Sequence, residues 1–421
     1  MGIPDVTPSE PASPHEADSS TRGKRLPLLG WLIFVGYLCV VGYYYVDAYR
    51  SAGRGESPMF TDFTPIFAAS LQLRAEPPVT LYMPRPRYAY ELQAAQAAYG
   101  NQLSPAQASE VGFSAWMHPP IFMLFCLPLA FFPYLPAFLL WAVATALPYV
   151  LVIGRIISRR GAAAFALAAP PVFYNLIYGQ TGFLSAGFIG LGLLHLAQRP
   201  VLAGVFIGLA SFKPHFGVLL PVALLAGRHW RAFGAATATV LALLVLTLFL
   251  FGDDPWFAFI GMTSVYVEGF DAAAYDWRSM VTVMSTFLLA GASINAAWQA
   301  QYLVAAAALA AVVWAWWRRD DERQLRLQSA IVCSATVLAL PMAYLYDAVL
   351  LVPALAWLKS DLDNHAGDSW EHRLLWGLYL APLAVMSVAS LSGLQFGPLI
   401  SGGLLLFALR RLAIARSSVR D

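Results

Sequence analysis

Residues 26–46 read LPLLGWLIFVGYLCVVGYYYV, an apolar run long enough to cross a hydrocarbon core of about 30 Å as one helix. The run is too long for the apolar core of a cleavable signal peptide, and the tyrosines at 43–45 are typical of an interfacial aromatic belt. Arg22, Lys24 and Arg25 precede it. By the positive-inside rule, the run predicts a retained first span with a cytoplasmic N-terminus, and the following segment is predicted to lie outside.

The composition of the whole chain agrees with this start. Of the 421 residues, 59% are hydrophobic and 12% are charged, whereas soluble domains carry about 25% charged residues. The net charge is only +2 and no basic block is present, which excludes nucleic acid as a partner. Cys39, Cys126 and Cys333 lie singly in apolar runs without zinc-site spacing and are expected to pack as small apolar residues.

Further apolar runs predict an all-α polytopic membrane protein of about twelve spans. After the first span these are 135–154, 161–178, 181–197, 201–212, 214–227, 232–251, 298–317, 327–344, 347–358, 373–391 and 397–411. The predicted organisation is a disordered cytoplasmic N-terminus (1–26), a membrane domain (27–411) whose first outer loop is 47–134, and a cytoplasmic tail (412–421).

The basic residues test this scheme by parity. All of the following clusters fall on the cytoplasmic side in it: Arg155 with Arg159 and Arg160, Arg199, Arg228 with Arg231, Arg318 with Arg319, and Arg410 with Arg411. The parity requires that the short apolar stretch 121–132, which contains Pro128, is interfacial or re-entrant. If that stretch crosses, every later loop changes sides.

Polar residues collect on the predicted outer face. They include Asp62, Arg74, Arg85, Arg87, His118, Asn175, Gln180, Lys213, His215, Asp253, Asp254, Glu268, Asp271, Tyr275, Asp276, Arg278, Tyr346 and Asp347. The cytoplasmic stretch KSDLDNHAGDSWEHR (359–373) is interpreted instead as a solvated loop, with His365 and His372 as surface residues.

Asp62 stands out among these residues. It lies in PMFTDFTPIFAASLQL (58–73), in the first outer loop of a chain built for lipid. Because acidic side chains near membrane segments are costly to place, Asp62 is a candidate for chemistry.

Lys213, in LASFKPHFGVLL, occupies a break between two apolar runs at Pro214. Such a lysine either snorkels to the interface or neutralises an anion such as a phosphate. His215 is similarly placed. His118 precedes a double proline, so it either donates a hydrogen bond to a substrate or caps a re-entrant helix.

Asp347 is predicted at a helix start, where capping competes with a functional role. Asn175, Tyr178 and Gln180 form a polar break that either binds sugar hydroxyls or is a simple turn. The acidic pair in FGDDPW (251–256) resembles a metal-binding dipeptide, but an Asp before Pro is also common where a turn opens a loop. The loop EGFDAAAYDWRSM (268–280), with Asp276 and Arg278, is a candidate lid or acceptor contact.

Several stretches together resemble the GT-C class of membrane glycosyltransferases and, within it, glycosyltransferase family 87, which includes polyprenyl-phosphate-mannose-dependent mannosyltransferases. They are DFTPIFAASLQL (62–73), LYMP (81–84), HPPIFMLFCLPLAFFPYLPAFLLW (118–141), APPVFYNLIYGQTGFLSAGFIGLGLLHLA (169–197), GVFIGLASFKPHFGVLLPVALLAGRHWRA (204–232) and LPMAYLYDAVLLVPALAWL (340–358). Each is mainly apolar, so their order and spacing carry the resemblance.

The resemblance implies a GT-C fold and transfer of a hexose, usually mannose, from a polyprenyl phosphate to a hydroxyl of a lipid or glycan acceptor at the outer face of the cell membrane. Carried over by motif, Asp62 would be the general base and Lys213 would hold the donor phosphate. Family members often carry Ser-Pro and paired histidines near 340–347, where this chain has Tyr346 and Asp347. The sugar and the acceptor therefore stay open.

The residues fit this chemistry independently. An inverting transfer needs a carboxylate to accept the proton of the attacking hydroxyl and cations to stabilise the departing phosphate, roles for Asp62 and for Lys213 with His118 or Arg278. Because a monophosphate leaves with less charge than a diphosphate, no metal or other cofactor is expected. The alternative from another class is a transporter or flippase, but no internal repeat is evident and the polar residues crowd one face.

Overall fold

The computed structural model describes residues 14–56, 61–157, 161–268, 275–318, 321–365 and 367–417, with the backbone alone at 14–26 and 265–268. These residues form helices and no strand, apart from one isolated antiparallel bridge between Met280 and Tyr344. The predicted all-helical class is confirmed.

The first half of the described chain contains the outer segment predicted between the first two spans. Its helices are α1 (Pro14–Gly53), α2 (Phe63–Ala75), α3 (Pro84–Ala98), α4 (Pro105–Ala108), α5 (Pro120–Cys126), α6 (Tyr134–Ile156), α7 (Ala162–Leu167), α8 (Pro170–Tyr178), α9 (Gly182–His195) and α10 (Pro200–Leu209).

The second half consists of α11 (Leu219–Ala226), α12 (Trp230–Phe251), α13 (Asp254–Glu268), α14 (Val283–Leu289), α15 (Ile294–Trp316), α16 (Glu322–Ala339), α17 (Leu351–Asn364), α18 (Ser369–Leu380), α19 (Pro382–Ser392) and α20 (Gly397–Ser417). Short 3-10 turns connect several helices: Pro78–Tyr82, Leu127–Phe131, Ala210–Phe212, Pro214–Gly217, Trp277–Ser279 and Asp347–Leu350.

Proline sets many of the helix starts. It occupies the first position of α3, α4, α5, α8, α10 and α19. There its fixed φ suits a helix and its missing N–H costs no hydrogen bond. The same residue prevents the preceding helix from continuing, so the apolar sequence is divided into short rods.

Five helices in the described chain are long and apolar enough to cross a membrane: 27–53 of α1, and α6, α12, α15 and α20. The pair α18 and α19, bent by 62°, would make a sixth. The predicted number of twelve is not confirmed, because several predicted spans are short or broken. Residues 161–178, for example, form α7 and α8, with Pro170 as the first residue of α8, and 201–227 form α10 and α11 on either side of Lys213.

Two segments differ from the sequence interpretation. Helix α1 begins at Pro14, within the stretch expected to be disordered, and it continues through Gly23 and Pro27 into the apolar run. Residues 359–373 are not a solvated loop: α17 continues to Asn364, and Asp361 and Glu371 are buried. His365 is exposed, as expected.

The cysteines and the short stretch 121–132 follow the expectations in part. Cys126 and Cys333 are buried, but Cys39 is exposed on the outside of α1. Residues 121–132 are divided between α5 and a 3-10 turn at Leu127, a helical length too small for a full crossing. Arg159, Arg160, Arg319 and Asp271 lie outside the described residues.

Two apolar cores meet near the polar residues of interest. The larger core is built mainly from α6, α9, α16, α17 and α20, and the smaller from α2, α5 and the start of α6. Phe212 belongs to the smaller core and Phe216 to the larger. Lys213 therefore lies where the two cores join.

Candidate active site

Asp62 lies directly before the first residue of α2 and is partly buried. Its carboxylate does not cap the helix; instead Oδ2 accepts a hydrogen bond of 3.0 Å from Gln180 Nε2. Burial raises the pKa of Asp62, the bond from Gln180 lowers it, and the charges of Asp347 and Lys213 act in opposite directions. The net result is a raised pKa, so the carboxylate is a stronger base than an ordinary aspartate.

Glycines bring Gln180 to Asp62. Gly179 has φ of +67°, a left-handed conformation that ends α8 and that a side chain would strain. Gly182 starts α9 so close to the Tyr346 carbonyl that an added Cβ would clash. The turn between α8 and α9 can therefore press against both Asp62 and the segment that carries Asp347.

Lys213 forms a buried ion pair with Asp347, with 2.5 Å between Nζ and Oδ1. The side chains are 8% and 2% exposed, so Lys213 is not a snorkelling anchor in this structure. Asp347 Oδ2 also accepts a bond of 3.1 Å from the Tyr344 amide, which closes the turn before α17. The ammonium lies 4.5 Å from the ring centre of Phe216 and 5.4 Å from that of Tyr346.

Tyr346 lies between the Lys213–Asp347 pair and the surroundings of Asp62. It is buried, lies beside Lys213, and its ring is 6.3 Å from that of Tyr178. Tyr178 in turn is close enough to Asp62 and Asp276 for both carboxylates to interact electrostatically with it. Asp62, Gln180, Lys213, Tyr346 and Asp347 thus form one polar cluster between the apolar cores.

Asn175 has another role. It is 2% exposed, and its amide donates to the carbonyls of Pro171 and Tyr346 at 3.0 and 2.6 Å. Its Oδ1 accepts from the Phe183 amide at 3.3 Å. These bonds use the amide to hold α8, α9 and the Tyr346 segment together, which is a structural function.

His118 is half-buried in an aromatic setting. Its ring centre lies 4.2 Å from that of Phe122 and 5.1 Å from that of Trp116. Burial, with the nearby positive charges of Lys213 and Arg87, lowers the pKa of His118 to about 3. At neutral pH it is therefore an uncharged hydrogen-bonding group.

Three predicted residues lie at the periphery. His215 is exposed and packs against Phe216, with 5.0 Å between ring centres. Asp276 and Arg278 are exposed, and Asp276 accepts from the Arg278 amide at 3.2 Å. Two main-chain hydrogen bonds nevertheless connect this segment to the residues directly before Tyr346. The Val281 amide donates to the Ala343 carbonyl (2.8 Å), and the Leu345 amide donates to the Ser279 carbonyl (2.9 Å).

Sequence reasoning missed a set of hydroxyls. The Oγ atoms of Thr61, Thr181 and Ser211 are buried and make no hydrogen bond of normal geometry within the described chain. Each is one or two residues from Asp62, Gln180 or Lys213. Buried polar atoms usually have partners, so these hydroxyls have hydrogen-bonding capacity to spare, although that of Thr61 lies near the hydroxyls of Tyr45 and Tyr134. The signal was present as a hydroxyl residue beside each candidate, in TD, QT and SFK.

Sequence reasoning also missed how the outer segment is held together. Arg87 and Glu91 are a buried ion pair on α3, 3.2 Å apart, and Arg87 Nη2 donates to the Pro65 carbonyl at 2.7 Å. Since Pro65 lies in the first turn of α2, this bond fixes the helix start that carries Asp62. The Arg87 guanidinium also lies 5.2 Å from the Trp116 ring centre, beside His118.

A sequence model of glycosyltransferase family 87 matches residues 116–341. This range is more than half of the chain. The protein belongs to glycosyltransferase family 87. No curated protein and no solved structure matches it.

Family 87 membership makes the protein a glycosyltransferase, and its apolar helices make it a membrane protein. The matched range includes His118, Gln180 and Lys213. Asp62 lies before it, and Asp347 lies after it. The cluster around Asp62 is therefore partly built from segments outside the matched range.

Proposed function

We propose that this family 87 protein transfers a hexose of the mannose type from a polyprenyl-phosphate donor to a hydroxyl of a lipid-linked or glycan acceptor, with inversion. In this reaction the acceptor oxygen bonds to the anomeric carbon while the bond from that carbon to the phosphate oxygen breaks. The acceptor proton passes to a base, and polyprenyl phosphate leaves. The observation that carries the proposal is the convergence of a base-like carboxylate and a buried cation in one cluster.

Asp62 is the proposed general base. Its raised pKa and its freedom from a capping role support this, because a base near the working pH transfers protons efficiently. Gln180 orients the carboxylate through its 3.0 Å bond. The buried hydroxyls of Thr61 and Thr181, beside these two residues, make no hydrogen bond of normal geometry in the described chain and are suited to sugar or acceptor hydroxyls.

Lys213 is the proposed phosphate contact. In the described structure Asp347 neutralises it, so a donor phosphate would have to share or replace that partner. An ammonium carries three donors, and only one hydrogen bond to it is present in the described chain, which leaves room for phosphate oxygens. Asp347 would then be released toward the sugar or the acceptor, the role expected from its position.

The other candidates have subsidiary proposed roles. His118, being uncharged, would donate a hydrogen bond to the phosphate rather than a charge. Tyr346 would pack against the sugar, and the exposed His215, Asp276 and Arg278 would contact donor or acceptor at the mouth. Asn175 has no proposed role as a sugar contact, because its Nδ2 and its Oδ1 are both hydrogen-bonded to the main chain.

The proposal includes the GT-C fold and an outward-facing site in the cell membrane. Arginines 228, 231 and 318 line one cavity at the end of the molecule opposite the candidate site, in keeping with a cytoplasmic face there. Because Lys213 supplies a positive charge for a leaving monophosphate, we propose that transfer needs no metal and no other cofactor.

The test is product analysis. Purified protein would be incubated with radiolabelled polyprenyl-phosphate sugars and a membrane lipid extract, with and without a chelator, and labelled products would be identified by mass spectrometry. We expect a hexosylated product whose yield is insensitive to the chelator. Failure of every polyprenyl-phosphate sugar, alongside transfer from a nucleotide sugar, would overturn the donor assignment.

A further inference from the structure

A cavity of about 630 Å³ lies between the end of α1, the end of α3 and the start of α6, and its lining includes Thr61 and Thr64, on either side of Asp62 in the chain. It is within the range of small-molecule sites, about 300–1,000 Å³. Its lining is mainly aromatic and aliphatic and includes Tyr44, Tyr45, Tyr134 and Leu135. An apolar lining of this kind fits a hydrocarbon chain better than a polar sugar.

The rim of the cavity carries exposed apolar side chains. Leu135, Val46 and Tyr49, which line it, are 60%, 49% and 43% exposed. They belong to α6 and α1, two helices long and apolar enough to cross a membrane. A chain of a membrane lipid can therefore enter from the bilayer without crossing water.

The inner end of the cavity carries hydroxyls next to the proposed base. Thr64 and Tyr134 form a hydrogen bond of 3.0 Å. Thr61 is 5% exposed, and its hydroxyl is near those of Tyr45 and Tyr134 but makes no hydrogen bond of normal geometry in the described chain. Because Thr61 directly precedes Asp62, a polar group bound to its hydroxyl lies close to the carboxylate.

The position of Lys213 decides which lipid fits. The partners of Lys213, which are Asp347, Tyr346 and Phe216, do not line the cavity. In an inverting transfer the attacking hydroxyl and the leaving phosphate lie on opposite faces of the sugar carbon, so the base and the phosphate contact are on different sides. Thr61 and Tyr44 line the cavity, and both are close to Asp62, so the cavity is nearer to the proposed base than to the phosphate contact.

We propose that this cavity binds an apolar chain of a lipid acceptor and that Thr61 positions the polar group next to the attacking hydroxyl. The proposal rests on the proposed function, since it assumes that Asp62 is the base. It selects a lipid acceptor over a free glycan and assigns the isoprenoid of the donor to another surface.

The chain offers a matched pair of variants for the test. Gly42 lines the cavity, and Gly36 lies on the same helix away from it. An added Cβ at either glycine meets no atom within 4 Å, so neither position blocks the start of a side chain. Gly42→Trp fills the cavity, whereas Gly36→Trp adds the same side chain to the lipid-facing surface.

The first readout is binding, which does not require transfer. Proteins in nanodiscs would be irradiated with a phospholipid that carries a photoactivatable acyl chain, and separately with a photoactivatable polyprenyl phosphate. We expect the phospholipid to label peptides 42–50 and 97–100 in wild type and Gly36→Trp but not in Gly42→Trp. Preferential labelling of these peptides by the polyprenyl phosphate would assign the cavity to the donor and overturn the proposal.

The second readout is transfer to the lipid extract. Filling the cavity should raise the KM for lipid acceptor about tenfold or more in Gly42→Trp, with the donor KM unchanged. The reason is that small misfits between a substrate and an apolar pocket change kcat/KM by about 10- to 200-fold. Equal acceptor KM for Gly42→Trp and Gly36→Trp would overturn the proposal. Absence of transfer in wild type, with acyl labelling intact, would instead reject the proposed function and leave a lipid site.

Discussion

Two clusters of buried charges differ in how completely they are bonded. At the far end of the molecule, Arg411 donates from Nε to Asp361 at 2.7 Å, from Nη1 to Glu371 at 3.1 Å and from Nη2 to the His365 carbonyl at 3.0 Å. Arg323 also bonds Asp361, and Arg410 bonds Glu371. Every nitrogen of the central guanidinium has an acceptor within the protein.

The Lys213 cluster has fewer bonds. Within the described residues, Lys213 makes one hydrogen bond, to Asp347, and Asp62 receives one from Gln180. Two carboxylates lie near one cation, and the hydroxyls of Thr61, Thr181 and Ser211 make no hydrogen bond of normal geometry there. A saturated network holds α16, α17, α18 and α20 together, whereas an unsaturated one leaves groups for a ligand. We infer that the first cluster stabilises the fold and the second acts on substrate.

The largest expected effect is the loss of turnover in Asp62→Asn. Asparagine keeps the size and much of the hydrogen bonding but cannot accept a proton, and general base catalysis contributes about 10² to 10⁴ in rate. Turnover should fall in that range while donor binding persists, as measured by single-turnover kinetics with labelled donor. Transfer within about threefold of wild type would remove Asp62 from the mechanism.

Arg411→Gln should chiefly change stability. The substitution leaves Asp361 and Glu371 buried with fewer positive partners, and breaking a buried ionic network costs about 3–5 kcal/mol. Denaturation in detergent should show the loss. The control is Arg326→Gln, which removes an exposed ion pair to Glu322 and should cost about 0–1 kcal/mol. Similar midpoints for both variants would contradict the structural role of the network.

Lys213→Gln should raise the donor KM by about ten- to hundredfold, because a charge-assisted contact is worth about 1.5–3 kcal/mol. It also leaves Asp347 buried without its cation, so some stability is lost. The double variant Lys213→Gln with Asp347→Asn removes both charges, and it should recover stability without recovering donor use. Recovery of the donor KM in the double variant would mean that Lys213 only neutralises Asp347.

The smallest effect concerns pH. Because the base must be ionised, activity should fall on the acid side at a pH above the ordinary aspartate value of about 3.9, following the raised pKa of Asp62. Gln180→Leu removes a bond that lowers this pKa, so the acid limb should move to higher pH while activity at alkaline pH changes least. An unshifted acid limb in the pH–rate profile would show that Gln180 does not influence the pKa of the catalytic base.

Particular residues show what the sequence could predict. The first span, α6, α12, α15 and α20 follow from long apolar runs, since run length reports directly on spanning length. The remaining predicted spans were less accurate because proline and glycine break apolar runs into short helices without changing their hydropathy. Family 87 membership was likewise predicted, and it is confirmed by the match over 116–341.

The partners of the candidate residues could not be predicted. Lys213 and Asp347 are far apart in the chain, and they meet because α9 packs against both the 3-10 turn at Asp347 and the turn at Ala210–Phe212, directly before Lys213. The same reason explains the error at 359–373, where Asp361 and Glu371 look solvated in sequence but receive Arg411 from the last helix. Charge patterns identify residues that need partners; tertiary structure decides which partners they have.

The most direct measurement makes the same chemical change in both clusters, Asp62→Asn and Asp361→Asn, and records turnover and the free energy of unfolding for each. The raised pKa of Asp62 means that the folded state binds its proton more tightly than the unfolded state, so the ionised carboxylate costs stability as the pH rises through that pKa. Asp62→Asn should therefore lose turnover and keep or gain stability at neutral pH, whereas Asp361→Asn should lose stability and keep turnover per folded molecule. Equal losses of stability with equal turnover in the two variants would contradict the division between a structural and a functional cluster.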